Sequence, residues 1–226
     1  MAKVCFDYGH GGRDPGAVYK GRKESDDNLA LGKAVAAELR KYGVAVVETR
    51  TGDKAVSLKE RSDLANKSAC DYFISFHRNA FKPEQAKGVE TYTYFNAGIQ
   101  AKSLAEKIQT ALVGVGFTNR GVKTANFHVL RETKAPAVLV ETGFIDNALD
   151  NLLFDSKRDE VIKALVRAIL SQLGISVTPQ APPASSNKTL YRVMAGSFAV
   201  RRNAEKQVER LKAAGFDATI MTYKQP

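Results

Sequence analysis

The segment Val4-Cys5-Phe6-Asp7-Tyr8-Gly9-His10-Gly11-Gly12-Arg13-Asp14-Pro15-Gly16-Ala17 decides how the rest of the chain is read. An apolar strand runs directly into a glycine-rich turn that carries one histidine, and Glu24 follows where a helix begins. Two more apolar runs end on chemically useful groups: Phe73-Ile74-Ser75-Phe76-His77 on an imidazole, and Ala137-Val138-Leu139-Val140-Glu141 on a carboxylate. The chain has three histidines, and two of them stand at the carboxyl ends of predicted core strands. In an open α/β sheet, that edge is where ligands bind. The pattern therefore predicts a metal site there.

Strands and helices alternate from this segment as far as about residue 175. Strands are expected over 3–8, 44–49, 71–77, 89–95 and 136–141. Helices are expected over about 24–41, 58–67, 101–113 and 158–173. The first places Leu29, Val35, Ala36 and Leu39 on one face and stops at Gly43. Ser57 with Glu60 forms a capping box for the second. This alternation predicts an α/β domain over residues 1–175, with a mostly parallel, twisted sheet covered by helices on both faces.

Composition then shifts. Ser176 to Lys188 reads SVTPQAPPASSNK and holds three of the seven prolines, which predicts a semi-rigid linker over 176–188. Beyond it, 189–195 alternates as a strand, 204–214 has helical periodicity, and 218–223 alternates again. This predicts a small βαβ module over 189–226. A unit of about 38 residues is below the size that usually folds without help. From Lys188 onward, eight basic and three acidic residues leave +5, half of the net charge of +10.

That charge implies an anionic partner. The basic residues are dispersed and do not interleave with aromatics, which argues against nucleic acid. Bacterial surface polymers are equally anionic, and a purely solubilising charge is the plainest alternative. No apolar run approaches the roughly 18 residues needed to span a bilayer, so no membrane insertion is expected. The first residues enter a strand at once. This leads to the expectation of synthesis in the cytoplasm without a signal peptide. Cys5 and Cys70 are expected as free thiols.

Two imidazoles and a carboxylate make a known catalytic zinc set that leaves one position open. His10, Glu24 and His77 fit it. A second carboxylate that is not a ligand can take a proton as water attacks a carbonyl and return it to the leaving amine. Glu141 fits that role. Each residue also has a plainer reading. Either histidine could be a turn residue bonded to backbone. Glu24 could simply complement a helix dipole, and Glu141 could pair with Arg50 or Arg131. The glycine-rich turn could cradle phosphate, but it lacks the ending of a P-loop. His128, in an alternating apolar stretch, reads as a surface or groove residue.

Residues 3 to about 173 resemble the zinc-dependent N-acetylmuramoyl-L-alanine amidases of the type 3 family, known from autolysins, sporulation lysins and phage endolysins. The matching pieces are Gly9-His10-Gly11-Gly12, Asp14-Pro15-Gly16-Ala17, Glu24 with Asn28-Leu29, and Leu58 with Arg61. Ile74 to Ala80 and Pro136 to Ile145 complete the match. The resemblance implies zinc on His10, Glu24 and His77, and catalysis by Glu141. It also implies hydrolysis of the amide between N-acetylmuramic acid and the L-alanine of the stem peptide. Tyr8 and Arg78 depart from the family pattern, which has a small residue or proline at the first position and a small residue at the second. Arg78 is expected either to pair with stem-peptide carboxylates or to point away. Asn79 and Arg131 are read as substrate contacts or as support for them.

The tail, with Tyr191 to Phe198, Ala204, Ala214-Gly215-Phe216 and Ala218, resembles half of a SPOR-like peptidoglycan-binding module. A half-module is expected to pair with a second copy, because an exposed strand edge seeks a partner; a truncated or weakly ordered module is the alternative. The expected function is an amidase that reaches the wall after holin- or lysis-mediated release. The alternatives are a wall-binding protein that keeps the fold without turnover and, more distantly, a nucleic-acid binder.

Overall fold

The structure, a computed structural model, describes residues 1–176, 196–216 and 218–220. The chain divides into two compact units, 1–183 and 184–226. In the first, the elements run β1 (Lys3–Tyr8), β2 (Val18–Tyr19), β3 (Arg22–Lys23), α1 (Glu24–Lys41), β4 (Ala45–Glu48), α2 (Leu58–Ser68) and β5 (Tyr72–Asn79). They continue as β6 (Val89–Thr93), α3 (Ile99–Val115), β7 (Asn119–Thr124), α4 (His128–Arg131), β8 (Ala137–Phe144), α5 (Ala148–Ser156) and α6 (Arg158–Leu173).

Six strands form one sheet in the order β4-β1-β5-β8-β6-β7. Strands β4, β1, β5 and β8 are parallel, while β6 pairs antiparallel with β8 and parallel with β7. Alternate strand residues feed two cores. Val4, Phe6, Tyr8, Ile74, Phe76, Val138 and Val140 pack with the buried faces of α1, α3 and α6. Cys5, Phe73 and Leu139 pack on the other face with Ala65 of α2 and Val129 and Leu130 of α4. Leu31, Val35 and Leu39 of α1 are at most 2% exposed. Burying side chains of this kind contributes roughly 1.5–3 kcal/mol each.

The expected first-unit strands and helices all form, with ends shifted by a few residues. The predicted capping box is present, with Ser57 and Glu60 bonded reciprocally. Sequence reading passed over β7, whose edge-strand sequence NRGVKT has no apolar alternation. His128 does not lie in a strand. It opens the one-turn α4, half-buried, with Nε2 3.4 Å from Ser62 Oγ.

The consequence for function lies at one point in the topology. β1 leads through α1 to β4 on one side, and the chain then returns through α2 on the opposite face to β5 on the other side of β1. The carboxyl ends of β1 and β5 therefore flank a topological switch point, where the loops part and leave a crevice. His10 follows β1, and His77 lies near the carboxyl end of β5.

In the second unit, α7 (Arg201–Ala213) occupies the place of the predicted helix. None of its residues is buried. Ala218, Thr219 and Ile220 lie outside any strand. The predicted strand over 189–195, the rest of the 218–223 strand and all of the linker except Ser176 lie outside the described residues.

Candidate metal centre

Glycines bring the two histidines together. A Cβ on Gly9 would lie 2.2 Å from the His77 ring, so the chain after β1 can pass this close only without a side chain. His10 itself has a φ of 63°, a left-handed conformation uncommon for a residue with a Cβ. The surrounding structure holds it there. Arg61 donates to the carbonyls of Tyr8 and His10, and Arg50 donates to those of Tyr8 and Gly9. Both arginines are buried. Asp7, also buried, accepts from Arg61, Ser75 and Thr49 beneath the turn. Replacing Gly9 with alanine is expected to displace the His77 ring and weaken metal binding by 10- to 100-fold or more, the scale on which misoriented ligands lose affinity. A chelator-competition titration would measure this, and an unchanged affinity would contradict the packing argument.

The carboxylate arrives from the first residue of α1. Glu24 Oε1 lies 3.2 Å from His10 Nε2 and 2.8 Å from His77 Nδ1. Donor atoms of all three residues lie within 4.8 Å of one another. Glu24 is 4% exposed and also accepts from the backbone of Ala17 and Arg78 and from Asn28 Nδ2. On the far side of His10, Nδ1 is 2.8 Å from Asp14 Oδ2. This contact orients the ring and leaves Nε2 to face the cluster. Burial works to raise Glu24, but its bonds to His10 and His77 hold it well below the usual carboxylate range. Burial likewise works to lower His10, and Glu24 and Asp14 overcome it, raising that imidazole to about 9.

Glu141 stands beside this cluster. On β8 it is the direct parallel partner of His77. Its Oε2 is buried without a hydrogen-bond partner among the described residues. Burial pushes the carboxyl up to about 7. The charges of Glu24 and Glu90 add to the rise, and those of the two histidines oppose it. A half-buried carboxyl with one enclosed oxygen and a raised pKa, next to three convergent donors, suits a general base. Neither alternative partner reaches it. Arg50 is occupied by backbone carbonyls, and Arg131 bonds Glu132 and Asn126.

The sign of the pKa shift sets a pH dependence for the metal-free protein. A carboxyl raised above its unfolded value costs no stability below the unfolded pKa, near 4.5, and costs most once pH passes its folded value near 7. In chelator, Glu141→Gln is thus expected to unfold at a higher temperature than the unsubstituted protein at pH 8, with the gap narrowing toward pH 5. Parallel melting curves at both pH values would sink this expectation.

The other expected contacts fare differently. Asn79 ends β5 beside the site, and its Oδ1 accepts from the backbone of Ala80. Arg78 is corrected. Its side chain is fully buried, 2.5 Å from Asp27 and 2.7 Å from Asn151, with its guanidinium 4.1 Å over the Phe154 ring. Strand alternation turns it to the face opposite His77. Arg131 is corrected as well. It lines a cavity with Pro136 and Ala137, at the amino end of the strand whose carboxyl end carries Glu141. Asp14 was assigned no role from sequence, although its spacing of four from His10 in a glycine turn was the available signal.

Comparison with known proteins gives consistent results. Residues 4–171 match the family described as N-acetylmuramoyl-L-alanine amidase, and residues 163–222 match the SPOR domain. The chain is 36% identical to the sporulation-specific N-acetylmuramoyl-L-alanine amidase of Bacillus subtilis (strain 168) over 225 residues, 98% of this chain and 85% of that one. It is 42% identical over 151 residues to the endolysin of Bacillus phage SPP1, covering 64% of this chain and 55% of the other. A solved N-acetylmuramoyl-L-alanine amidase from Clostridium difficile 630 superposes with a TM-score of 0.73 at 38% identity, covering 76% of this chain and 97% of that one. The SPOR match begins inside α6, whose Leu165, Val166 and Ile169 are buried in the core of the first unit.

Proposed function

The chain belongs to the N-acetylmuramoyl-L-alanine amidase family, and from that premise we propose that His10, Glu24 and His77 hold a zinc ion while Glu141 serves as the base. The protein is a peptidoglycan hydrolase, an amidase that cuts between N-acetylmuramic acid and the L-alanine of the stem peptide. One observation carries the assignment of residues. Three donors from separate elements converge within 4.8 Å, beside an enclosed carboxyl oxygen that has no hydrogen-bond partner among the described residues.

Two neutral imidazoles and one carboxylate are a donor set that suits zinc and leaves a coordination position open. Zinc bound there would supply a Lewis acid and a water whose pKa falls to about 7. The chain's own groups do the rest. Asp14 holds His10 in the tautomer that presents Nε2. Glu24, from the rigid start of α1, keeps both rings facing one point. Glu141 takes the proton as the amide carbonyl is attacked and delivers it to the departing alanine nitrogen. The test is zinc content measured together with release of stem peptide from purified cell walls. A chain that released peptide without bound metal would refute the assignment.

The tail supports a second part of this reading. We propose that residues 189–226 bind the wall and pair with a second copy. The SPOR match supports wall binding, and the exposed Phe198, Val200 and Phe216 support pairing. Light scattering that returned a monomer mass at micromolar concentration, with the tail resistant to protease, would count against it. No helix among the described residues is long and apolar enough to cross a membrane. The endolysin relative supports action on the wall after holin- or lysis-mediated release.

A further inference from the structure

Next to Glu141, on the side away from the histidines, the sheet carries a charged cluster that the mechanism above does not use. Glu90 of β6 is the direct antiparallel partner of Glu141. Residues directly opposite each other share one face of a sheet, so Glu90 stands beside the base. Glu90 is 2% exposed. One of its oxygens, Oε1, is shared by Arg120 Nε and by Lys123 Nζ at 3.0 Å, both from the edge strand β7. The other, Oε2, accepts from the Tyr92 hydroxyl. Two cations thus converge on one buried anion. Their side chains remain 35% and 39% exposed, which leaves an excess positive charge facing solvent.

The cations are held in place. The Arg120 guanidinium lies 4.9 Å over the Phe144 ring, and only its Nε is used by Glu90. Its two terminal amino groups have no other partner among the described residues, and they form a fork suited to a carboxylate. Tyr92 is braced edge-on by Phe127 at 5.4 Å. A buried carboxylate that fixes two half-exposed cations at a defined distance from a reacting centre is the arrangement expected of an anion-recognition subsite rather than of a solvated face.

The spacing identifies the anion. Strands lie about 4.8 Å apart, so β7 is roughly 10 Å from β8, and an extended peptide rises about 3.3 Å per residue. A substrate arm crossing β6 and β7 from the scissile amide would meet Arg120 and Lys123 with its second or third residue. The lactyl carboxyl of the sugar is consumed in the amide itself, so the acidic groups within reach belong to the peptide. We propose that Arg120 and Lys123, anchored by Glu90, recognise a stem-peptide carboxylate and so set the enzyme's peptide specificity. This proposal rests on the amidase reading above.

The test uses the full-length zinc-loaded protein and two substrates. One is N-acetylmuramoyl-L-alanyl-γ-D-glutamyl-L-lysine with free carboxylates, and the other is the same molecule with both carboxylates amidated. The unsubstituted enzyme is expected to prefer the free acid by about tenfold in kcat/KM, the scale of a partly screened charge-assisted hydrogen bond. The preference should be carried in KM. In Arg120→Gln/Lys123→Gln the ratio should fall toward one. That pair leaves Glu90 buried and unpaired, so the triple variant with Glu90→Gln serves beside it and should lose the preference equally. A ratio that survives in the triple variant, or an unsubstituted enzyme that cuts both substrates alike, overturns the subsite and leaves the amidase assignment standing. Cleavage of neither substrate by the unsubstituted enzyme overturns both.

Discussion

Replacing Glu141 with glutamine is expected to lower kcat/KM for stem-peptide release on the order of 10²- to 10⁴-fold, the range attributed to a positioned general base. The substitution keeps the shape of the side chain and removes its ability to accept a proton. Because Glu141 is not among the three convergent donors, zinc content should stay near one ion per chain. The two readouts together separate this role from that of a ligand, whose loss would lower both. Activity within tenfold of the unsubstituted protein would mean that another group takes the proton. The two carboxylates whose charges act on Glu141 are otherwise engaged. Glu90 is committed to Arg120, Lys123 and Tyr92, and Glu24 is held between the two imidazoles.

The opposite pattern is expected for Glu24→Ala. Removing the single carboxylate among the donors leaves two imidazoles. Zinc affinity should fall by more than about 100-fold, beyond the 10- to 100-fold lost when only an outer-sphere partner is removed. Activity should fall with it and recover in part at high zinc concentration, a rescue that Glu141→Gln should not show. In metal-free protein the same substitution should bring the His10 pKa down from about 9, since Glu24 leads among the charges that raise it against burial. Ring-proton titration by NMR would follow this shift. An unchanged zinc affinity would remove Glu24 from the donor set.

The four residues that sequence alone brought forward for the metal centre share one property: each stands at or just past the end of a predicted apolar strand, or at the start of a predicted helix. His77 and Glu141 could be found this way because β5 and β8 are buried on both faces and read as continuous apolar runs. Glu24 could be found because an acid at a helix start is itself a recognisable signal. Glu90 had no such signal. Its partners come from β7, a polar edge strand without alternation, and its place beside Glu141 depends on an antiparallel pairing that the strand's own residues do not announce. Arg78 and Arg131 show the reverse failure. Both are cations near recognisable motifs, yet strand alternation buries one, and the direction of β8 puts the other at its far end.

Periodicity and residue type are local properties, so the alternation of elements, the capping box and four groups suited to hydrolytic zinc chemistry could be read from the chain alone. That these groups meet is a matter of packing. Three donors separated by as many as 67 residues come within 4.8 Å because the crossovers through α1 and α2 part at β1 and β5, and because Gly9 lets backbone pass against the His77 ring. Burial around Glu141 and its pairing with Glu90 are likewise properties of the packed sheet, and they are what turn an ordinary carboxyl into one of raised pKa.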